Sequence, residues 1–392
     1  MNLLEQMSPQ EVGEYLRIAR EGAKLKQEDA AAAIDVARTT IVAIEQGQRR
    51  VKVGELQKLA RTYGTSVNAL LRSEAMHVDL VPRFRKLFSS KDTAAAEAAE
   101  LLANLAKAEV ELENLLGVKR SRSYPPERPL LPGDVRAQAE QDATELRHLL
   151  GLGTRPVADI VTLLEMELGV RVYLRKLDSK ISGLFAFDEA LGACVLLNAN
   201  HPRDRRNQTA AHECGHFISA RRTAEILHRH ESDNSREERY AISFGRALLT
   251  PARGVMQKFQ EVIAGSDRLT RRHIIVLAHF FGVSREAMVR RLEELGLSKS
   301  GTWDWFVDNG GITEGQVRQV LGELVTANEP PENQPTTLRL NLLASEAYHQ
   351  NLLSEGQLAR LLNLSRVEVR EVLDSQEGGG GYADGVAHNL SD

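Results

Sequence analysis

Residues 209–220 read TAAHECGHFISA, two histidines four positions apart with Glu213 directly after the first. An i, i+4 pair on a helix projects from one face, so His212 and His216 can direct ring nitrogens at a single ion. Zinc favours nitrogen donors in a tetrahedral set, and a third protein ligand leaves one position for water. Glu213, about 100° further round the helix, can point at that water and take its proton. With 11 histidines in 392 residues, roughly 0.02–0.03 such motifs are expected by chance. The plain alternative is a buried histidine pair on an amphipathic helix. Gly215 argues against it, because glycine is costly inside a helix unless something approaches the backbone closely. A second helix follows, with Glu237 and Glu238 ahead of Ala241, Phe244, Leu248 and Leu249. Its apolar stripe can lie on the core while Glu238 faces the ion.

The rest of the chain sets the frame for this helix. A length of 392 residues exceeds one core and points to two to four units. At 42% hydrophobic and 27% charged, the composition is that of an ordinary globular protein, and a net charge of −4 means that any nucleic-acid surface is local. Cys194 and Cys214 exclude a disulfide framework and an all-cysteine zinc site, and Cys214 reads as packed rather than redox-active. The N-terminus lacks a signal-peptide layout, and no apolar run approaches the roughly 18 residues needed to span a bilayer. A cytoplasmic chain with no membrane partner is expected.

The pattern is mainly α with a small β-sheet, an α+β class. Residues 1–75 read as short helices, and 76–134 as a helical linker whose long helix over about 87–116 is a dimerisation element or a spacer. Four prolines in SRSYPPERPLLPGD (121–134) break it. A mixed unit spans 135–295, with strands in GVRVYLRKL and KISGLFAFDEALGACVLLNA. The strand at 193–199 either offers its edge to an extended peptide or is simply structural. A helical C-terminal region covers 296–378 and a disordered tail 379–392. Within it, LLSEGQLARLLNLSRVEVREVL (352–373) has helix-turn-helix spacing on a weakly basic face, which favours a packing or partner-binding pair.

The segments NQTAAHECGHFI and EERYAISFGRALLTP, with the preceding ISG strand and VLLNAN, resemble the ImmA/IrrE metallopeptidase family over about 135–262. That resemblance implies a zincin-like domain. In it His212 and His216 are zinc ligands, Glu213 is the general base and Glu238 is the third ligand. Gly245 and Arg246 stand where small alanines are usual, and Tyr240 where a second acid is common. Glu237 is the nearest alternative ligand, and His228, His230 and Asp233 lie in the intervening loop.

In LKQEDAAAAIDVARTTIVAIEQGQRRV (25–51), a small-residue helix, a tight break and a second helix follow one another. The second would present Arg38, Thr39 and Thr40 to base edges, while Gln27 reaches a phosphate and Arg49 and Arg50 add local positive charge. Residues 10–72, closing on IEQG, resemble the XRE/Cro helix-turn-helix family. The resemblance implies double-stranded operator DNA as partner, bound by a homodimer. Together the two halves read as a transcriptional regulator with a zinc-dependent endopeptidase domain that cleaves a regulatory protein. The alternative is an antitoxin that autoregulates its operon and binds a toxin, with the metallopeptidase-like domain as scaffold.

Overall fold

The computed structural model describes residues 8–63, 67, 93–228, 235–322 and 336–377. The expected helix beyond Tyr63, the start of the long helix at 87–92, His230, Asp233 and the C-terminal tail lie outside these. The described chain is mainly helical with one four-stranded mixed sheet.

The N-terminal unit comprises α1 (Pro9–Gly22), α2 (Gln27–Ile34), α3 (Arg38–Glu45) and α4 (Val53–Thr62). Ser8 and Glu11 form a capping box that starts α1. Asp35, at φ 57°, ends α2 in the left-handed conformation, and α3 begins three residues later. Leu16, Ala30, Ile34, Ile41, Ile44, Leu56 and Leu59 close the core of this unit. Gly47 has φ 71°, and a Cβ there would meet the Cα of Gln10 at 2.6 Å, so the glycine of IEQG is required twice over.

The sheet has strand order β1–β3–β2–β4, with β1 (Arg171–Arg175), β2 (Ile181–Asp188), β3 (Gly192–Asn198) and β4 (Glu225–His228). β3 runs parallel to β1 and antiparallel to β2, and β4 is antiparallel to β2. The strand at 193–199 is paired on both sides, which leaves the plain structural reading of the two and gives it no edge to offer. The edges belong to β1 and β4, and β4 lies where a loop was expected.

Both faces of the sheet are covered, which explains why β2 and β3 show no polar alternation. One face, with Val172, Phe185, Phe187, Val195 and Leu197, packs with α6 (Val135–Leu149), α7 (Arg203–Ser219) and α8 (Arg236–Leu249). Cys214 is buried in that core, where packing rather than redox chemistry was expected, and burial pushes its thiol up to about 12.

The other face presents Tyr173, Leu184, Ala186, Cys194 and Leu196 to α5 (Thr93–Leu116) and to the C-terminal helices α14 (Leu338–His349), α15 (Glu355–Leu361) and α16 (Arg366–Glu377). Alanines 95, 98, 99, 103 and 106 let α5 lie close. One face of the helix expected as a spacer or dimer element is therefore occupied within the chain. Leu358, Leu362, Val369, Val372 and Leu373 place the C-terminal pair in the same core, in keeping with a packing role.

Glu109 and Glu113 of α5 enter this layer as buried charges. Arg171 on β1 binds Glu113 at 2.7 Å and Glu109 at 3.1 Å, Arg120 pairs with Glu109, and Arg339 on α14 reaches Glu113 at 3.0 Å. Tyr173 donates to Glu109 at 2.6 Å. The network joins α5, β1 and α14.

Between α8 and this region, α9 (Ala252–Ile263), α10 (Arg271–Phe281), α11 (Arg285–Glu294) and α12 (Thr302–Asp308) share a further core around Val255, Ile274, Phe281, Met288 and Phe306. A short α13 (Glu314–Leu321) follows. No described helix is long and apolar enough to cross a membrane.

Candidate metal centre

Helix α7 carries both histidines on the side facing α8. The crossing is tight because two glycines sit in it. A Cβ on Gly215 would fall 2.7 Å from the Cα of Ala241, and one on Gly245 would fall 2.9 Å from both the Ala211 carbonyl carbon and the His212 nitrogen. Gly245 is thus a requirement of the crossing. Tyr240, on the far side of α8, is buried and donates to Asp142 of α6 at 2.8 Å.

Close crossing brings Glu238, in the first turn of α8 behind its Ser235 cap, to the histidines. The Nε2 atoms of His212 and His216 are 3.0 Å apart. Glu238 Oε2 lies 3.4 Å from His212 Nε2, and Oε1 lies 3.2 Å from His216 Nε2. For metal–ligand bonds of about 2.0–2.2 Å, the edge of a tetrahedron is about 3.3–3.6 Å. One ligand atom from each of the three residues lies within 4.8 Å of the others, so they can hold a metal.

Electrostatics suit that use. Burial, reinforced by His216, pushes the His212 imidazole down to about 3 despite the nearby Glu238. It stays neutral, with a lone pair to donate. Burial alone would raise the Glu238 carboxyl, but the hydrogen bond with His216, foremost among its contacts with the two histidines, outweighs it and holds the group below its ordinary value. Glu237, the alternative ligand, is exposed and stands outside the cluster.

Glu213 is fully buried, with its carboxylate against β2. A Cβ on Gly183 would lie 3.2 Å from Glu213 Oε1 and 2.7 Å from the Thr209 methyl. The glycine of ISG is therefore the place where the sheet yields room for α7 and its glutamate. Leu227 of β4 pairs with Gly183, so the edge strand passes beside the same point.

Residues 165–293 match the family model described as IrrE N-terminal-like domain, Peptidase_M78, and residues 11–72 match a helix-turn-helix domain. The chain carries an IrrE N-terminal-like domain behind a helix-turn-helix domain. No curated protein matches it. The IrrE-like span contains β1 to β4, α7, α8 and the three candidate ligands, and it leaves out α5, α6 and the C-terminal helices that cover the sheet.

The helix-turn-helix domain implies DNA binding. Arg38 and Thr39 are exposed at the start of α3, Thr40 is half-buried, and Arg50 is exposed beyond it. Gln27 is engaged within the protein. Its amide donates to Glu45 at 2.9 Å and its oxygen accepts from Arg38 at 3.3 Å. Arg49 is paired with Glu55 at 2.8 Å. Sequence reasoning missed Arg20, whose guanidinium binds buried Glu45 at 2.6 and 3.0 Å and ties α1 to α3. A glutamate one position after Ile44, inside an apolar stripe, was the available signal.

Proposed function

We propose that the chain is a DNA-binding regulator whose IrrE-like domain is a zinc-dependent endopeptidase acting on a regulatory protein. The observation that carries this reading is the convergence of His212, His216 and Glu238, one ligand atom from each within 4.8 Å of the others. Zinc bound there would supply Lewis acidity, which polarises a carbonyl and makes water acidic enough to ionise near neutral pH.

In this reading the chain's own residues divide the remaining work. His212, His216 and ionised Glu238 hold the ion, and the Gly215 and Gly245 crossing fixes their spacing. Glu213, confined by Gly183 and Thr209, takes a proton from the attacking water and returns it to the departing amine. An extended peptide would add to the outer edge of β4, which pairs with no further strand among the described residues and whose Leu227 is the register partner of Gly183. Arg38, Thr39, Thr40 and Arg50 read or grip operator DNA, with Gln27 and Arg49 setting the surface around them.

A Glu213→Gln variant tests the peptidase directly. It should keep its metal, because Glu213 is not a ligand, and lose peptide cleavage. If it keeps the metal and the biological effect is unchanged, the peptidase reading fails and the antitoxin reading leads.

A further inference from the structure

Among the described residues, four that are not glycine take a positive φ: Lys24, Asp35, Asn351 and Asn363. They fall into two pairs. Lys24 and Asp35 form the corners between α1 and α2 and between α2 and α3. Asn351 and Asn363 form those between α14 and α15 and between α15 and α16. A single left-handed residue turns the chain sharply out of a helix, so matched corners give matched turns. The spacing within the two pairs differs by one residue.

Burial repeats with the corners. Counted from the second corner, Ile34, Ile41 and Ile44 correspond to Leu362, Val369 and Val372, and all six are buried. Glu45 corresponds to Leu373 and, counted from the first corner, Arg20 corresponds to Ala347. The buried Arg20–Glu45 ion pair of the N-terminal unit thus becomes two buried apolar residues in the C-terminal one. Helices α14 to α16 repeat the first three helices of the helix-turn-helix domain, and they lie outside both matched spans.

One face of α16 packs into the core under the sheet through Val369, Val372 and Leu373. The opposite face is exposed. Arg366 stands where α3 has Arg38, and Val367, 65% exposed, stands where it has Thr39. The Arg370 side chain is 61% exposed, beside Glu355 at 3.1 Å, and Glu371 and Asp374 are exposed further along. Glu368 is taken up by the helix cap. The Ser365 amide donates to it at 2.8 Å, and this bond first, with the Ser365 hydroxyl and the nearby Arg175 and Lys176, holds its carboxyl below the ordinary value. Lys176, exposed just past β1, therefore adds positive charge near the start of α16.

These side chains suit base edges better than a run of phosphates. An arginine pairs with guanine, an aliphatic group meets the thymine methyl, and a carboxylate accepts from cytosine. Arg366 and Arg370, Val367, and Glu371 supply all three on the face that a helix-turn-helix unit presents to the major groove. We propose that α14–α16 is a second DNA-reading unit, with α16 as its recognition helix, so that one chain carries two such helices, α3 and α16. The inference is independent of the metal centre.

The test is selection by the full-length chain from a pool of random-sequence duplexes, followed by anisotropy titration of the selected duplex. Wild type would be compared with Arg38→Ala and with the double variant Arg366→Ala, Arg370→Ala. All three arginines are exposed and the Arg370–Glu355 pair lies at the surface, so melting temperatures should agree. Wild type should enrich two different sequence elements. The α16 double variant should lose one of them and bind the wild-type duplex at least about tenfold more weakly, while Arg38→Ala should lose the other element. Two copies of one element, selected equally by wild type and the α16 variant, would assign all DNA reading to paired N-terminal units and overturn the proposal. Unchanged affinity of the α16 variant for the wild-type duplex would overturn it as well.

Discussion

Gly245 of α8 and His212 of α7 meet backbone to backbone. A Cβ on the glycine would stand 2.9 Å from the His212 nitrogen and the same distance from the carbon preceding it. No rotamer change can relieve such a contact, so Gly245→Ala must push the helices apart. We expect a loss of about 1–3 kcal/mol in stability. Metal affinity should fall as well, because the same displacement carries Glu238 away from the histidines. Urea unfolding and metal titration of the variant would measure both. Unchanged metal affinity would show that Glu238 is not held by this crossing.

Gly183→Ala should act on Glu213 instead. The added methyl would meet the Thr209 methyl at 2.7 Å before it meets the carboxylate at 3.2 Å. Peptide cleavage should drop while metal content stays. The double variant with Thr209→Ser removes the first clash and should recover part of the activity, measured as kcat/KM. Absence of any recovery would place the damage elsewhere.

Glu165 gives a pH signature. Burial raises its carboxyl from an ordinary 4.5 to about 7, against hydrogen bonds from the Thr337 hydroxyl and the Arg339 amide. The Thr337 hydroxyl also lies 3.0 Å from the Val172 carbonyl, and it has one proton to give. A protonated Glu165 can donate to Thr337, which then donates to Val172, so every contact is satisfied. The folded state thus holds a proton that the unfolded chain releases between about pH 4.5 and 7. This contribution is complete below the unfolded value and is lost as pH rises through 7, amounting to at most about 3 kcal/mol. Glu165→Gln keeps the donor and the acceptor without the ionisation. It should flatten the fall in stability between pH 5 and 8 seen by denaturant titration, and a parallel curve for the two proteins would contradict this.

Arg20 and Arg50 should separate folding from DNA contact. Arg20→Ala strands the buried Glu45 carboxylate and should cost the N-terminal unit about 3–5 kcal/mol. Arg50→Ala, at an exposed position, should leave the melting temperature unchanged. It should weaken DNA binding across sequences and lower the salt slope by about one. A loss confined to one operator sequence would assign Arg50 to a base edge instead.

How far the sequence revealed these features depends on whether the determining contact was local. The metal helix was legible because His212, Glu213 and His216 lie within one turn and a half, and Glu238 because it opens the next apolar helix. Gly215 signalled a close approach, but its reciprocal, Gly245, read as a departure from a family pattern until α8 was seen lying on α7. β4 was missed because it has four residues and takes its register from β2. α5 read as a free helix because alanine favours any helix and does not announce a sheet as its neighbour. Glu109 and Glu113 look like surface charges in sequence. Arg120 and the arginines of β1 and α14, the latter two far along the chain, make their burial tolerable.

The central claim is that His212, His216 and Glu238 hold one zinc, and metal content by elemental analysis tests it most directly. The comparison is wild type, purified without chelator, against His212→Ala, His216→Ala and Glu238→Ala. The account predicts about one zinc per wild-type chain and its loss from each variant. Wild type without metal, or zinc retained by Glu238→Ala at full occupancy, would contradict it.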